Sequence, residues 1–87
     1  MNRVEIYTNP LCGFCHAAKR LLDRKGIKFI EYEVNFDLSL KKEMIERAEG
    51  RHTFPQIFIG GLGIGGCDEL HGLEASGNLD GMLEAIR

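Results

Sequence analysis

Two of the three cysteines in the sequence, Cys12 and Cys15, are separated by only two residues. The pair follows a strand-like segment and opens a segment with helical spacing, which predicts Cys12 at the amino end of a helix and Cys15 one turn inside it. Unpaired backbone N–H groups and the positive end of the helix dipole favour a thiolate over a thiol there. Because the thiolate is the attacking species in disulfide exchange, we expect Cys12 to attack and Cys15 to resolve the product by forming a disulfide with it.

Two other uses of the cysteine pair are open. A structural disulfide is disfavoured because an acidic residue lies close to Met1 and the sequence has no apolar secretory segment. A zinc site needs four ligands, and there is no second Cys-x-x-Cys. The other ligands would have to be Cys67 and a histidine that converge from distant positions: His16, His52 or His71. Redox use of the pair is the favoured interpretation.

Length and composition restrict the class of protein. The chain has 87 residues, 11 basic and 13 acidic ones, a net charge of −2 and 44% hydrophobic residues. These values predict a single globular domain over residues 1–87 rather than a disordered chain. The balanced charge argues against a general nucleic-acid binder, and no apolar stretch approaches the ~20 residues that span a membrane. We therefore expect a cytoplasmic protein.

Strands are predicted in four segments, from alternating apolar residues or β-prone runs: 4–7, 29–34, 56–59 and 62–64. Gly60-Gly61 predicts a tight antiparallel hairpin between the last two strands. The first two strands are separated by a helical segment, so we expect them to be parallel and joined by a right-handed crossover.

Helical spacing begins in the cysteine motif and recurs three more times, which gives the order β-α-β-α-β-β-α-α. The first helix ends before Gly26 and is predicted to present one apolar face: Phe14, Ala17, Ala18, Leu21 and Leu22. Either Asp37 or Ser39 can cap the second helix, and Asp68 can cap the third. The fourth helix is predicted over 79–86.

Four segments together resemble the glutaredoxins, most closely the small bacterial dithiol type. They are Tyr7-Thr8, Cys12-Gly13-Phe14-Cys15-His16, Thr53-Phe54-Pro55-Gln56-Ile57-Phe58-Ile59 and Ile64-Gly65-Gly66-Cys67-Asp68-Glu69-Leu70. The resemblance covers nearly the whole chain and implies an α/β thioredoxin-like fold, with a four-stranded mixed sheet flanked by helices. It also implies a glutathione-dependent thiol–disulfide oxidoreductase whose partners are glutathione, glutathionylated proteins and protein disulfides. Such a protein is expected to be a monomer.

A glutathione groove is a further implication of the resemblance. In glutaredoxins the residue before a cis-proline binds the central cysteinyl unit through its backbone, and that residue here is Phe54 before Pro55. The contacts carried over from the family are Phe14, Arg51, Thr53, Phe54, Pro55, Gly66, Cys67 and Asp68. Asp68 would accept from the γ-glutamyl ammonium, although as a simple alternative it only caps a helix.

The sequence departs from the family at the end of the groove that binds the glycine carboxylate of glutathione. Many glutaredoxins carry a basic residue three positions before the first cysteine, where this sequence has Asn9. Arg51 is the nearest substitute, so we expect weaker glutathione binding than in a typical member. Cys67 has two interpretations: a small, partly buried residue beside the groove, or the site of a regulatory mixed disulfide.

The main alternative function is binding of a [2Fe–2S] cluster. Some glutaredoxins hold such a cluster between two subunits, through the first active-site cysteine and the thiol of bound glutathione. The monothiol members carry Cys-Gly-Phe-Ser, which Cys12-Gly13-Phe14-Cys15 matches except at its last position. Gly13 also replaces a proline that tends to oppose cluster assembly. This alternative would make the chain a cluster carrier, with or without redox activity.

Overall fold

The computed structural model describes residues 3–86, and its elements follow the predicted order. The strands are β1 (Val4–Thr8), β2 (Phe29–Glu33), β3 (Gln56–Ile59) and β4 (Leu62–Gly65). The helices are α1 (Gly13–Arg24), α2 (Leu38–Arg47), α3 (Cys67–Ser76) and α4 (Asn78–Ala85). In this part of the chain no helix combines the length and apolar character needed to cross a membrane.

The four strands form one mixed sheet in the order β2-β1-β3-β4. β1 is parallel to β2 and antiparallel to β3, and β3 and β4 form the antiparallel hairpin. Thr8 pairs with Glu33 and Tyr7 pairs with Gln56. The carboxyl ends of β1 and β2 and the amino end of β3 therefore meet at one edge of the sheet, which is where the cysteine pair follows β1.

Two clusters of buried side chains hold helices against the sheet. The larger one is mostly aliphatic and joins strand residues to α1, α3 and α4: Val4, Ile6, Ala18, Leu21, Leu22, Ile57, Ile59, Cys67, Leu70 and Leu79. The smaller one includes α2 and contains two aromatic rings: Tyr7, Val34, Met44, Ala48 and Phe58. Burial of these apolar surfaces is the main favourable contribution to folding.

β1 differs from the alternating pattern predicted for it, because all five of its residues are buried. It is a central strand with helices on both faces, so neither face meets solvent. Buried Glu5 accepts hydrogen bonds from Arg47 Nη2 at 3.0 Å and from the Tyr32 hydroxyl at 2.8 Å. The Arg47 guanidinium holds the pKa of the Glu5 carboxyl below its usual value. Glu5 therefore stays negatively charged although burial alone would disfavour that charge.

The helix starts confirm one prediction and correct two. Asp37 caps α2, and its Oδ1 accepts the N–H of Leu40 at 3.0 Å. The prediction that Asp68 caps α3 is wrong, because Gly66 is the N-cap and Asp68 lies inside the first turn. Phe14 does not belong to the buried face of α1: it is 66% exposed, and Cys15 is buried in that turn instead.

Candidate functional site

Cys12 is the N-cap residue of α1 and is partly exposed. Its Sγ accepts the backbone N–H of Cys15 at 3.1 Å, and its own N–H donates to the Asn9 carbonyl at 3.0 Å. The first turn of α1 contains no acidic residue that would compete for the helix N–H groups. The Cys12 sulfur therefore accepts one of the backbone N–H groups at the start of α1, and Cys12 has the position at the amino end of the helix that the sequence predicted.

Cys15 lies in a different environment although it is only one turn away. Its side chain is 1% exposed, and burial raises the pKa of its thiol to about 12, with a further contribution from its hydrogen bond to Cys12. Both cysteines are free thiols in this structure. The Cys12 sulfur is therefore partly accessible at the start of α1, whereas the Cys15 thiol is buried and protonated at neutral pH.

The segment before β3 approaches Cys12 from the neighbouring strand. The Phe54–Pro55 peptide bond is cis, as the resemblance implied. The Cys12 thiol points at the carbonyl oxygen of Phe54, with 3.6 Å between sulfur and oxygen. The backbone of Phe54 therefore lies directly beside the reactive sulfur.

A cleft of about 150 Å³ opens beside this backbone. Its lining comes from the start of α1, the segment before β3 and the start of α3: Phe14, Thr53, Phe54, Pro55, Gly66, Cys67, Asp68 and Glu69. Every residue predicted to bind glutathione, except Arg51, lines this cleft. The sheet thus brings together three segments that are far apart in the chain.

Arg51 lies beside a second cavity, which is next to the cleft. That cavity is lined by Arg47, Ala48, Glu49, Arg51, Gln56, Leu62, Gly63 and Gly65. An ideal Cβ placed on Gly65 would be 2.8 Å from Arg51 Nη1 and 2.6 Å from Glu69 Oε1. The guanidinium therefore lies close to the Gly65 backbone, just before the start of α3, and its role toward glutathione stays a prediction.

Glu69 is the lining residue that the sequence reasoning missed. Its Oε1 accepts the backbone N–H of Gly66 at 2.6 Å, so a carboxylate of the chain already occupies the N–H of one residue predicted to bind glutathione. The signal was present in the sequence, because an acidic residue three positions after an N-cap is the spacing of a capping box. Gly66 lacks the side chain that usually reveals the first half of that motif.

Cys67 is the first residue of α3, yet it is buried, with its sulfur 3.4 Å from His71 Nδ1. Burial raises the pKa of the Cys67 thiol, and the Asp68 carboxylate raises it further. Within residues 3–86, no three side chains of the His, Cys, Asp and Glu types lie together as a metal-binding group. The ligands of the zinc alternative therefore do not converge in the described part of the chain.

Comparison with known proteins agrees with this geometry. The Glutaredoxin family model matches residues 4–64. Glutaredoxin 3 of Escherichia coli K12 is 49% identical over 84 residues, which is 97% of this chain and 100% of that protein. The solution structure of a Brucella melitensis glutaredoxin is 52% identical with a TM-score of 0.81, and the match covers 93% of this chain and 87% of that one.

A glutaredoxin from buckwheat, solved as a complex with glutathione, matches with 28% identity and a TM-score of 0.86, covering 95% of this chain and 77% of that one. The predicted thioredoxin-like fold is thereby confirmed. With the paired cysteines beside a cleft next to a cis-proline, these findings show that the chain belongs to the glutaredoxin family of glutathione-dependent thiol–disulfide oxidoreductases.

Proposed function

We propose that Cys12 is the attacking thiolate of this oxidoreductase, that Cys15 resolves its mixed disulfides with proteins, and that the cleft binds glutathione. One observation carries the assignment of Cys12: its partly exposed sulfur accepts the Cys15 N–H at the amino end of α1 and lies against the Phe54 backbone. Cys15 is buried one turn behind it, and its backbone N–H contacts the Cys12 sulfur.

The reaction on a glutathionylated protein has two exchange steps. The Cys12 thiolate attacks the glutathione sulfur, a Cys12–glutathione disulfide forms, and the protein leaves as a thiolate that takes up a proton. A second glutathione thiolate then attacks the glutathione sulfur of that intermediate. Oxidised glutathione leaves and the Cys12 thiolate is restored, so the protein thiol has been released and the disulfide bond now joins the two glutathione sulfurs.

Protein disulfides follow the route that needs both cysteines. Cys12 attacks one sulfur of the substrate and becomes joined to it, and the Cys15 sulfur then attacks Cys12 and expels the reduced substrate. Cys15 must lose its proton for this step, which its raised pKa opposes. Burial is the main cause of that rise, and only the smaller contribution of Cys12 is removed once Cys12 has formed a disulfide. Glutathione later reduces the Cys12–Cys15 disulfide.

Glutathione recognition in the cleft rests on backbone groups and one carboxylate. The backbone of Phe54 pairs with the central cysteinyl unit, and the N–H groups at the start of α3 bind the γ-glutamyl carboxylate. Asp68, exposed in the first turn of α3, accepts from the ammonium. Arg51 is the candidate for the remaining carboxylate. The chain is proposed to act as a cytoplasmic monomer.

Substitution of each cysteine tests the two roles. Cys12→Ser abolishes reduction of both glutathione mixed disulfides and protein disulfides, because no other exposed thiol reaches the cleft among the described residues. Cys15→Ser retains the first activity and loses the second, since external glutathione resolves only the glutathione intermediate. Activity that survives in Cys12→Ser and is lost in Cys15→Ser would reverse the assignment.

The [2Fe–2S] alternative is not favoured by the comparisons and stays a prediction. Cys12 would be the ligand from each chain, and its partly exposed sulfur fits that use. An ultraviolet–visible spectrum of the anaerobically purified protein tests it. Visible absorption with about one iron per chain, lost when glutathione is omitted, supports a cluster form, and a colourless active reductase contradicts it.

A further inference from the structure

The strongest unexplained feature outside the cleft is a group of exposed apolar side chains at the edge of the sheet that carries Cys12. Leu11 is 96% exposed, Phe36 is 90% exposed and Leu38 is 79% exposed. We call these residues the turn-tip surface. Leu11 directly precedes Cys12, and large exposed apolar side chains at the end of a domain that carries its reactive residue mark a candidate interaction site.

Two tight turns place this surface. The Asn9 carbonyl accepts the N–H of Cys12 at 3.0 Å, and the Val34 carbonyl accepts the N–H of Asp37 at 2.8 Å. Leu11 and Phe36 occupy the third position of their respective turns. The turns leave adjacent strand ends, since Val34 N–H donates to Thr8 O at 2.8 Å and neighbouring strands lie about 4.8 Å apart.

The order of strands separates this surface from the glutathione cleft. Cys12 follows β1, which lies between β2 and β3. The cleft is built on the β3 and β4 side, from the segments next to Pro55 and Gly66. Phe36 and Leu38 follow β2, so they lie on the opposite side of Cys12 from the cleft.

We propose that the turn-tip surface docks the polypeptide half of a glutathionylated protein substrate, and that it favours substrates with apolar side chains next to the reacting cysteine. This inference rests on the proposed function. A mixed disulfide has two halves that meet at the sulfur attacked by Cys12. When the cleft holds the glutathione half, the polypeptide half must leave Cys12 on another side, and the β2 side offers the exposed apolar side chains of Phe36 and Leu38.

Two synthetic peptides with one glutathionylated cysteine test the proposal. In one the cysteine is flanked by leucine and phenylalanine, and in the other by serine. The wild-type chain is expected to have about tenfold higher kcat/KM for the apolar peptide, equivalent to about 1.4 kcal/mol. The double variant Phe36→Ser and Leu38→Ser loses this preference but reduces the small mixed disulfide of glutathione and mercaptoethanol at the wild-type rate.

Leu62→Ser is the matched control. Leu62 is also an exposed leucine, but it starts β4 opposite Ile59, at the far end of the sheet from Cys12. This variant keeps the peptide preference. Equal kcat/KM for the two peptides in the wild type, or an undiminished preference in the double variant, overturns the docking surface.

Sedimentation distinguishes substrate docking from self-association. Activity on the small mixed disulfide distinguishes failure of the docking surface from failure of the catalytic assignment. Wild-type protein that sediments as a dimer, together with a monomeric double variant, would show that a second copy covers the surface and overturns substrate docking. Failure of wild-type protein to reduce even the small mixed disulfide overturns the proposed function itself. Activity on the small disulfide without peptide preference overturns only the docking surface.

Discussion

The amino ends of α1 and α3 both carry a cysteine beside the same cleft, but the two cysteines lie in opposite electrostatic environments. Cys12 is the N-cap of α1, where no acidic residue lies in the first turn and the sulfur itself accepts a helix N–H. Cys67 is the first residue of α3, whose first turn carries Asp68 and Glu69. The Glu69 carboxylate accepts the Gly66 N–H in place of a sulfur.

The difference shows that position at a helix start does not by itself make a cysteine nucleophilic. Burial and the Asp68 charge raise the pKa of the Cys67 thiol, so this sulfur is both inaccessible and protonated at neutral pH. At the amino end of α1 the Cys12 sulfur accepts a helix N–H, whereas at α3 the Glu69 carboxylate accepts one N–H and the remaining N–H groups are proposed to bind glutathione. A helix amino end stabilises whichever anion is placed there.

Alkylation rates provide the largest expected contrast. With iodoacetamide at pH 7, Cys12 is expected to react at least about a hundred times faster than Cys15 or Cys67, because only thiolates react and only Cys12 is accessible. With a pKa of about 12, Cys15 gains thiolate tenfold for each pH unit up to that value, so its labelling rises with pH. Peptide mass spectrometry measures each site.

The control for this contrast is the unfolded chain, in which all three cysteines are expected to react at similar rates. Comparable labelling of Cys12 and Cys67 in the folded protein would contradict the contrast between the two helices. The raised pKa of Cys15 also predicts that folding stability falls as pH rises above about 8.5, because the unfolded thiol ionises first.

Gly65→Ala disturbs the start of α3 most directly. Gly65 has a φ of +105°, and an added Cβ would lie 2.6 Å from Glu69 Oε1 and 2.8 Å from Arg51 Nη1. We expect a loss of about 1–3 kcal/mol in the free energy of unfolding, measured with urea. Gly72→Ala is the control, because its Cβ would meet open space in α3 and a gain of about 1 kcal/mol is expected. Equal stability of the Gly65 variant and the wild type would contradict the predicted backbone strain.

Asp68→Ala tests whether the end of α3 serves a ligand. Loss of a charge-assisted hydrogen bond to the glutathione ammonium is expected to cost about 1–2 kcal/mol, which corresponds to a rise of roughly 5- to 30-fold in KM for a glutathionylated substrate. Steady-state kinetics measure it, with circular dichroism as the control for folding. An unchanged KM in a folded variant would leave Asp68 without a binding role.

Glu69→Gln has the smallest expected effect. The amide oxygen of glutamine still accepts the Gly66 N–H, so the variant removes the charge and keeps the cap. Removal of a negative charge from an anion-binding helix end should lower KM for a glutathionylated substrate about two- to fivefold. The gain should shrink as salt is raised, because the charge is exposed. A gain that is independent of ionic strength would point to a cause other than the charge.

Local patterns in the sequence determined much of this protein. The element order, the parallel β1–β2 pair, the β3–β4 hairpin, the Asp37 cap and the position of Cys12 all follow from periodicity and turn chemistry within a few residues. These features depend on neighbours in the chain, which a sequence displays directly. The cis-proline and the proposed glutathione contacts could be predicted only from resemblance to a family.

Tertiary structure decided the features that depend on segments far apart in the chain. Burial of the whole of β1, including Glu5, follows from helices that cover both faces of the central strand. Exposure of Phe14 and burial of Cys15 depend on how α1 meets the cleft and the sheet. The placement of Arg51 beside a second cavity follows from packing against Gly65. In each case the deciding neighbour is remote in sequence, so composition and spacing carry no signal of it.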